Sequence, residues 1–438
     1  MLDALLAAPA LVKVLGSLAI ILMANLLRTP LLFAILIGAV ALAGWTGRAP
    51  LEAAAIAGAA LAAPGSLLLL AALYLVIGLG NQMDAAGAMR DLVGAVRRRF
   101  THRTALAALP ALIGFLPMPG GAVFSAPLVA GCDPDGALLP DLKSQINYWF
   151  RHVWECWWPM YPGVLLAMQL SGLAVWQVML YGLPLTVACL GAGYLFLLRR
   201  VQPAEAIGDA ADAAPRASLP RLLTPIIVVV AVYTLARVGY AALSRIWALP
   251  PMSDFIPMGL GVLAAMLALQ RQRPLPRAAW RTILLSPKTA TMAGIIAAMQ
   301  IYSAFINAKL PGGTLMGVMD AELHAWGIPL WAVTILIPFI SGLTMGVAFG
   351  FVGASFPIVI SLLGPDPAFG ALLSTAALAY GFGYLGMMLS PVHVCLLVTN
   401  EHFNTRLHRT LPPLLGPAAV VAAAVVAVHL ALKVLVHP

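Results

Sequence analysis

Long apolar segments recur along the whole chain and are separated by short polar stretches. Most of them approach the length of about 20 residues that a helix needs to cross a bilayer. The first set covers residues 11–27, 31–45, 66–83, 106–130, 149–170 and 175–198, and the second covers 222–243, 255–269, 290–308, 330–363, 369–398 and 411–435. The pattern predicts an all-α polytopic membrane protein that has the lipid bilayer as its partner.

Composition narrows the class further. Of the 438 residues, 62% are hydrophobic and 9% are charged, which is too apolar for a water-soluble domain of this length. The net charge of +9 is scattered through short loops and forms no basic patch, so binding to nucleic acid is not expected. The cysteines Cys132, Cys156, Cys189 and Cys395 lie far apart, which argues against a metal site or a disulfide framework.

The two halves of the sequence resemble each other. Residues 201–221, rich in Ala and Asp, predict a cytoplasmic linker between a first repeat, 1–200, and a second repeat, 222–438. Matched residues stand 226 to 232 positions apart, and the offset increases slowly along the chain. The pairs are Asn81 and Asn307, Pro110 and Pro338, Gly114 and Gly342, Ser125 and Ser355, Pro127 and Pro357, Tyr148 and Tyr380, Phe150 and Phe382, and Pro159 and Pro391.

Each repeat contains an apolar segment that is too rich in Gly and Pro for one regular helix. Residues 106–130 carry Pro117, Met118, Pro119, Gly120 and Gly121 at their middle. We interpret 106–130 and 330–363 as two re-entrant hairpins with tips at 118–121 and 345–353, because the freed backbone groups must be enclosed by protein. A kinked spanning helix is the alternative for each segment.

If the hairpins do not cross the membrane, each half has five spanning helices, about ten in all. An odd number inverts the second repeat relative to the first. Most loop cations then fall on one side, and the opposite side receives few, so the positive-inside rule places both termini outside the cytoplasm. The few are Lys13, Arg48, Arg245, Lys309 and Lys433.

Inverted repeats with broken helices at the membrane midplane are typical of secondary transporters. The hairpin tips Met118 to Gly121, together with the hydroxyls of Ser125, Thr344 and Ser355, are candidate substrate-binding groups, although such hydroxyls also bond to their own helix. Pro159 and Pro391 lie in the fifth helix of each repeat, where a break would expose a helix N-terminus that attracts anions; a simple kink is the alternative. His393 follows the second break and could bind substrate, titrate or serve as a structural donor.

A second candidate group lies in the run YWFRHVWECWWPMYPG. Arg151 and Glu155 are four residues apart and would share a helix face. Together with the surrounding tryptophans, Arg151 and Glu155 are typical of an ion pair at the membrane interface, where tryptophans form an aromatic belt. Otherwise Arg151 could hold an anion, while Glu155 and His152 serve a coupling ion. Asn81 and Asn307 could bind an ion, contact a hairpin or cap a helix. Residues 84–100 predict an amphipathic segment at the cytoplasmic surface.

The stretches LPALIGFLPMPGGAVFSAPLV, INYWFRHVWECWWPMYPG and GMMLSPVHVCLLVTNEHF together resemble an uncharacterised prokaryotic permease family, the domain of unknown function four hundred and one. That family resembles the ion transporter superfamily of gluconate, lactate, citrate and dicarboxylate permeases. The resemblance implies a ten-helix, two-hairpin scaffold in the inner membrane, a homodimer and an elevator-like movement. Ser125 is followed by Ala126 and Ser355 by Phe356, so the Ser-Asn-Thr signature of dicarboxylate symporters is absent.

The sequence therefore predicts a secondary active transporter for a small organic anion, coupled to protons or sodium and needing no cofactor and no metal. The substrate is expected between the hairpin tips and the breaks of the fifth helices. The rival from another class is an intramembrane enzyme that uses His152, Glu155 or His393 as acid and base. The chain lacks a paired-His metal motif, a nucleophile elbow and a phosphate-binding loop, which argues against an enzyme.

Overall fold

The computed structural model describes residues 8–88, 91, 101–115, 121–133, 136–201, 219–310, 313–364 and 366–436. Within these ranges the protein is helical, apart from two two-residue strands, Lys309–Leu310 and Gly313–Thr314, which pair antiparallel. Most of the predicted first hairpin tip, of the predicted amphipathic segment and of the predicted linker lies outside the described residues. The expected all-α membrane architecture is confirmed.

The first half contains nine described helices. They are α1 (Ala10–Leu26), α2 (Leu31–Trp45), α3 (Pro50–Ala62), α4 (Pro64–Ala85), α5 (His102–Gly114), α6 (Ala122–Ala130), α7 (Pro140–Arg151), α8 (Pro162–Ser171) and α9 (Val175–Phe196). Four of these begin at a proline, which is favoured there because its fixed φ suits the first turn and its missing N–H would have no helical partner.

The second half contains eleven described helices. They are α10 (Leu219–Leu243), α11 (Phe255–Gln272), α12 (Arg277–Leu284), α13 (Pro287–Asn307), α14 (Leu315–Ala325), α15 (Leu330–Met345), α16 (Ala348–Ser361), α17 (Phe369–Met388), α18 (Val394–His402), α19 (Leu407–Thr410) and α20 (Leu415–Leu435). The short helices α3, α12 and α14 were not among the predicted segments, because they are too short or too polar to form an apolar run of spanning length.

Seven helical segments of the described chain are long and apolar enough to cross a membrane, or eight if the bent pair of α14 and α15 counts as one span. The apolar helices α1 and α2 have 17 and 15 residues, below the length of the seven. Large apolar side chains on the outer faces of α9, α10 and α20 remain exposed, as a lipid-facing surface requires. The chain is therefore a multi-pass membrane protein.

For the predicted helix over residues 149–170, the start at residue 149 is wrong, whereas the break predicted at Pro159 is present. Helix α7 begins at Pro140 and ends at Arg151, residues 152–161 form turns, and α8 starts only at Pro162. The first turns of α7 are rich in polar side chains that are buried in the protein, so hydropathy alone could not find them. The second half has the corresponding break between α17 and α18, at residues 389–393.

Helices α5 and α6 pack against each other, and so do α15 and α16, so the chain folds back at both predicted hairpins. The turn of the second hairpin consists of Gly346 and Val347. Gly346 has φ of 63°, in the left-handed region that favours glycine. The second hairpin thus turns at the start of the predicted tip, residues 345–353.

The same contacts recur in the two halves. Gly114 lies so close to the carbonyl group of Arg151 that a Cβ would overlap it, and Gly342 lies in the same way against the carbonyl of Gly383. Gly342 follows Gly114 by 228 residues and Gly383 follows Arg151 by 232, which are the offsets found between matched residues in the sequence. In each half, the glycine of a hairpin helix lets that helix approach the fifth-helix backbone closely.

The halves also exchange packing partners. Helix α11 packs on α4, and α2 packs on α13. The second predicted spanning segment of each half therefore lies against the third predicted spanning segment of the other half. Helix α6 of the first hairpin packs on α18, and α16 of the second hairpin packs on α8. Each hairpin therefore meets the broken helix of the opposite half, and any cavity at these contacts is shared by both halves.

A buried ion pair fixes the loop between α6 and α7. Asp133 accepts hydrogen bonds from the backbone N–H groups of Ala137 and Leu138 and from Lys143 Nζ at 2.9 Å. Burial alone would raise the pKa of Asp133, but Lys143 and the two backbone groups together hold it below its ordinary value. The loop is thereby tied to the first turn of α7.

Replacing Gly342 by Ala is expected to lower the free energy of unfolding by about 1–3 kcal/mol, because the new methyl group meets backbone atoms that cannot move independently. Gly191→Ala is the matched control, since nothing lies within 4 Å of a Cβ built there. In the control, alanine should be neutral or stabilise the helix by up to about 1 kcal/mol. Thermal unfolding in detergent measures both variants, and equal stability of the two would contradict the close contact.

Candidate functional site

A cavity of about 230 Å³ lies where the second hairpin meets both broken helices. It is mostly apolar, with charged or titratable side chains from Arg151, His152, Glu155 and His393. Its other lining residues are Tyr161, Pro162, Gly163, Met292, Gly346, Val347, Ala348, Phe349, Met387, Val394 and Cys395. The cavity therefore draws on α8, α13, α16, α18 and both breaks, as the packing exchange between the halves predicts.

Three helix N-termini line this cavity. Helix α8 begins at Pro162, α16 at Ala348 and α18 at Val394, and among the described residues no side chain caps any of the three. The first N–H groups of a helix have no partner within the helix, and the helix dipole adds a partial positive charge there. The termini are drawn together by close contacts: a Cβ on Gly163 would overlap Ala348, and a Cβ on Gly346 would press on His393.

A fourth helix N-terminus lies beside Arg151. Helix α6 starts at Ala122, also without a side-chain cap, and the preceding Gly121 lies against the guanidinium group of Arg151. A Cβ at Gly121 would overlap that group. Of the four residues of the predicted first tip, Gly121 is the one described, and the structure places it directly beside the cavity-lining arginine.

Arg151 and Glu155 are 3% and 8% exposed, so both are buried. The interpretation as a surface pair on one helix face is wrong, because α7 ends at Arg151 and the next residues form turns. The prediction that the tryptophans form an aromatic belt is wrong as well. Trp149 donates its indole N–H to the Cys189 carbonyl, and Trp154 donates to that of Ala111, so these rings point into the protein.

The two buried histidines of the cavity face each other. Nε2 of His152 lies 3.2 Å from Nε2 of His393, and the two rings are nearly perpendicular. Nδ1 of His152 is 2.6 Å from the carbonyl oxygen of Tyr148, and Nδ1 of His393 is 3.2 Å from that of Met387. Glu155 Oε1 lies 3.9 Å from His152 Nε2. The sequence indicated each residue separately, and the fold brings the three together.

Tyrosines of each half hold the break of the other. Tyr380 donates its hydroxyl to the carbonyl oxygen of Glu155 at 2.7 Å, and Tyr148 donates to that of Met388 at 3.0 Å. Tyr384 lies 3.3 Å from the carbonyl oxygen of His152. Backbone acceptors freed by the breaks are thus satisfied inside the protein, as the absence of water in a bilayer core requires.

A ladder of polar side chains joins α7 to α18 below the cavity. Asn147 donates to Thr399 at 2.9 Å, and Ser144 donates to Asn400 at 2.5 Å. Asn400 in turn donates to Thr410 at 3.0 Å. These buried bonds fix the two broken helices side by side, which keeps His152 and His393 in register.

Several predicted binding residues lie elsewhere. The Thr344 hydroxyl bonds to the carbonyl groups of its own helix, and Ser355 bonds in the same way to Phe351. Ser125 is fully buried in α6, and Pro391 is exposed in the turn before α18. None of the four lines the cavity. For these two hydroxyls the alternative interpretation, bonding within the helix, is the one the structure supports.

The two predicted asparagines also lie outside the cavity lining. Asn307 ends α13 and contacts a hairpin, since its side chain accepts a hydrogen bond from Ser361 at 2.6 Å. Asn81 is partly buried in the last turns of α4. Met118, Pro119 and Gly120 lie outside the described residues.

Tyr161, Met292 and Cys395 are among the lining residues that were not predicted from the sequence. Tyr161 aligns with His393 at the repeat offset of 232, which could have indicated its position. Met292 belongs to α13, and no sequence motif or repeat match indicated that it would line the site. One ligand atom each of Cys395, His152 and His393 lies within 4.8 Å of the others, the only such group of three among the described residues that could hold a metal ion. The positive charge of Arg151 in the same cavity opposes a divalent cation there.

The fold as a whole is similar to that of a solved structure. The YdaH transporter of Alcanivorax borkumensis, described as having an unusual topology, matches with a TM-score of 0.54 at 14% identity, over 85% of this chain and 90% of that one. The chain therefore shares the fold of that protein.

The sequence also assigns the chain to a family. Residues 10–244 and 260–435 match the DUF401 family, described as a protein of unknown function, and the chain belongs to that family. No curated protein matches the sequence.

Replacing Thr399 by Val removes the acceptor of the Asn147 amide and is expected to cost about 1–2 kcal/mol of unfolding free energy, because a buried donor loses its partner. Thr344→Val is the matched control, since the Thr344 hydroxyl bonds only to carbonyl groups of its own helix. It should stay within about 0.5 kcal/mol of the wild type. Thermal unfolding of both variants is the measurement, and a loss for Thr399→Val no larger than that for Thr344→Val would contradict a stabilising bond between the two helices.

Proposed function

We propose that this protein is a secondary active transporter for a small organic anion, which binds in the cavity between the second hairpin and the two broken helices. The observation that carries this proposal is the convergence of three helix N-termini, each without a side-chain cap among the described residues, and Arg151 on one cavity. The fold that the chain shares with the YdaH transporter supports a role in transport.

The chemistry of the lining favours an anion. Backbone N–H groups at helix N-termini are donors, and the dipoles of α8, α16 and α18 all direct partial positive charge towards the cavity. Arg151 adds a full positive charge and a planar fork of donors suited to a carboxylate. The remaining wall is apolar, which suits the carbon skeleton of an organic acid.

The cavity also limits the size of the substrate. At about 230 Å³ it is below the range of about 300–1,000 Å³ found for drug-sized ligands. A carboxylic acid of a few carbon atoms suits this space. We also propose that the family is related to the organic-anion permeases of the ion transporter superfamily.

The architecture proposed for transport consists of two inverted repeats. It is supported by the contacts that recur at the same offsets in both halves, such as Gly114 with Arg151 and Gly342 with Gly383. Adding α1, α2 and the broken pair of α7 and α8 to the seven long apolar segments gives the ten predicted spans. Alternating access would then move the hairpins and breaks together in an elevator-like motion, with both termini outside the cytoplasm and two chains forming a homodimer.

Uptake by proteoliposomes of the full-length protein tests the proposal. The panel consists of acetate, lactate, gluconate, succinate and citrate, each offered with an imposed proton or sodium gradient. We expect uptake of at least one acid. Arg151→Lys keeps the charge but loses the planar fork, so half-saturation should need roughly ten times more substrate.

Arg245→Lys is the control for the arginine replacement, because Arg245 is exposed and distant in sequence from the cavity residues. It should leave uptake unchanged. Uptake of none of the acids, or equal uptake by Arg151→Lys and the wild type, would argue against an anion held by Arg151.

A further inference from the structure

His152 and His393 make three contacts that each require a proton. Nδ1 of either ring faces a backbone carbonyl oxygen, which can only accept, so both Nδ1 atoms must carry hydrogen. The two Nε2 atoms lie 3.2 Å apart, a hydrogen-bond distance that also needs one hydrogen between them. Two neutral imidazoles have two ring N–H protons between them, one fewer than these contacts demand.

The geometry points to a third, exchangeable proton shared between His152 Nε2 and His393 Nε2. With that proton the pair carries a single positive charge. Without it, two nitrogen lone pairs face each other across 3.2 Å, or one ring turns a lone pair towards a carbonyl oxygen. Both arrangements are repulsive, so the geometry of the two breaks is that of the protonated pair.

The surroundings of the pair can stabilise the added charge. The titratable and charged groups that face it are Tyr148, Arg151, Glu155, Tyr161, Tyr384 and Cys395. Glu155 is the carboxylate among them, and it lies 3.9 Å from His152 Nε2, within ion-pair distance. Burial and Arg151 oppose the charge, whereas an anion bound in the same cavity attracts it.

This relation makes the proton the coupling ion, a step that rests on the proposed function. An anion in the cavity favours the proton, and by thermodynamic reciprocity the proton favours the anion. The two then cross the membrane in the same direction. Loss of the proton drives apart the break after α7 and the break before α18, one from each half, which gives the coupling a structural basis.

Ring-¹⁵N nuclear magnetic resonance of the full-length protein in lipid, labelled on histidine, tests the proton site without any substrate. At neutral pH we expect two protonated Nδ1 atoms and one proton shared by the two Nε2 atoms. His393→Asn should return His152 to the neutral form, since the Asn amide can donate to Nε2 and preserve the contact. His429→Asn is the matched control, because His429 donates from Nδ1 to the Ser374 carbonyl but lies on α20, away from the pair.

The control should leave the shared proton unchanged. Two neutral rings in the wild type would overturn the proposal. A ring-nitrogen signal that changes when EDTA is added would overturn it as well, because a metal ion would then occupy the position of the proton.

Transport separates this inference from the proposed function. For any acid of the panel that the wild type takes up, a pH dye trapped in the vesicles should report acidification. His152→Asn and His393→Asn should lower proton-driven uptake about 10-fold, with His429→Asn within about 2-fold of the wild type. Uptake without acidification would overturn proton coupling and leave the anion transporter standing. A shared proton with no uptake of any acid would support the proton site and count against the proposed function.

Discussion

Backbone polar groups cannot be left without partners in the hydrocarbon core of a bilayer, and the structure of this protein depends on that constraint. Two helices are interrupted inside the protein, after Arg151 and after Met388. The carbonyl oxygens freed at these breaks bond to tyrosine hydroxyls of the opposite half, as Tyr380 does with Glu155. At the helix starts after the breaks, the first N–H groups meet no capping side chain and line the cavity. Satisfied acceptors and these N–H donors are the physical basis of the anion binding proposed above.

The breaks also decide where ionisable side chains can lie. A continuous helix would place Arg151 and Glu155 on one face and turn His152 about 100° away from Arg151. Because the chain turns after Arg151, these three side chains all line one cavity together with His393. Burying them among tryptophans and tyrosines is costly unless they interact with one another. The contact between His152 and His393 joins the two halves inside the cavity.

Much of the fold could be predicted from the sequence, because apolar length and the repeat offsets report directly on membrane helices. Both hairpins and both fifth-helix breaks follow from glycines and prolines such as Gly121 and Pro159. The start of α7 could not be found, since its buried Ser144 and Asn147 look like loop residues until their partners Asn400 and Thr399 are known. In the site, His393 and Arg151 were indicated by residue type, whereas Thr344 and Ser355 were not distinguishable from hydroxyls that bond within their own helix. The pairing of His152 with His393 spans 241 residues and is a property of tertiary structure alone.

The exchange of packing partners between the halves has a consequence for biosynthesis. Helix α6 packs on α18 and α8 packs on α16, so the hairpin and the broken helix of the first half complete their contacts only after residues beyond 347 have been made. During synthesis, the first half must enter the membrane with its break lacking the tyrosines that later satisfy it. The nascent chain then needs either shelter from the insertion machinery or water around residues 152–161 until α16 to α18 arrive. Assembly is therefore a late, cooperative step, and cutting the gene between the halves would give two fragments that each lack the other's partners.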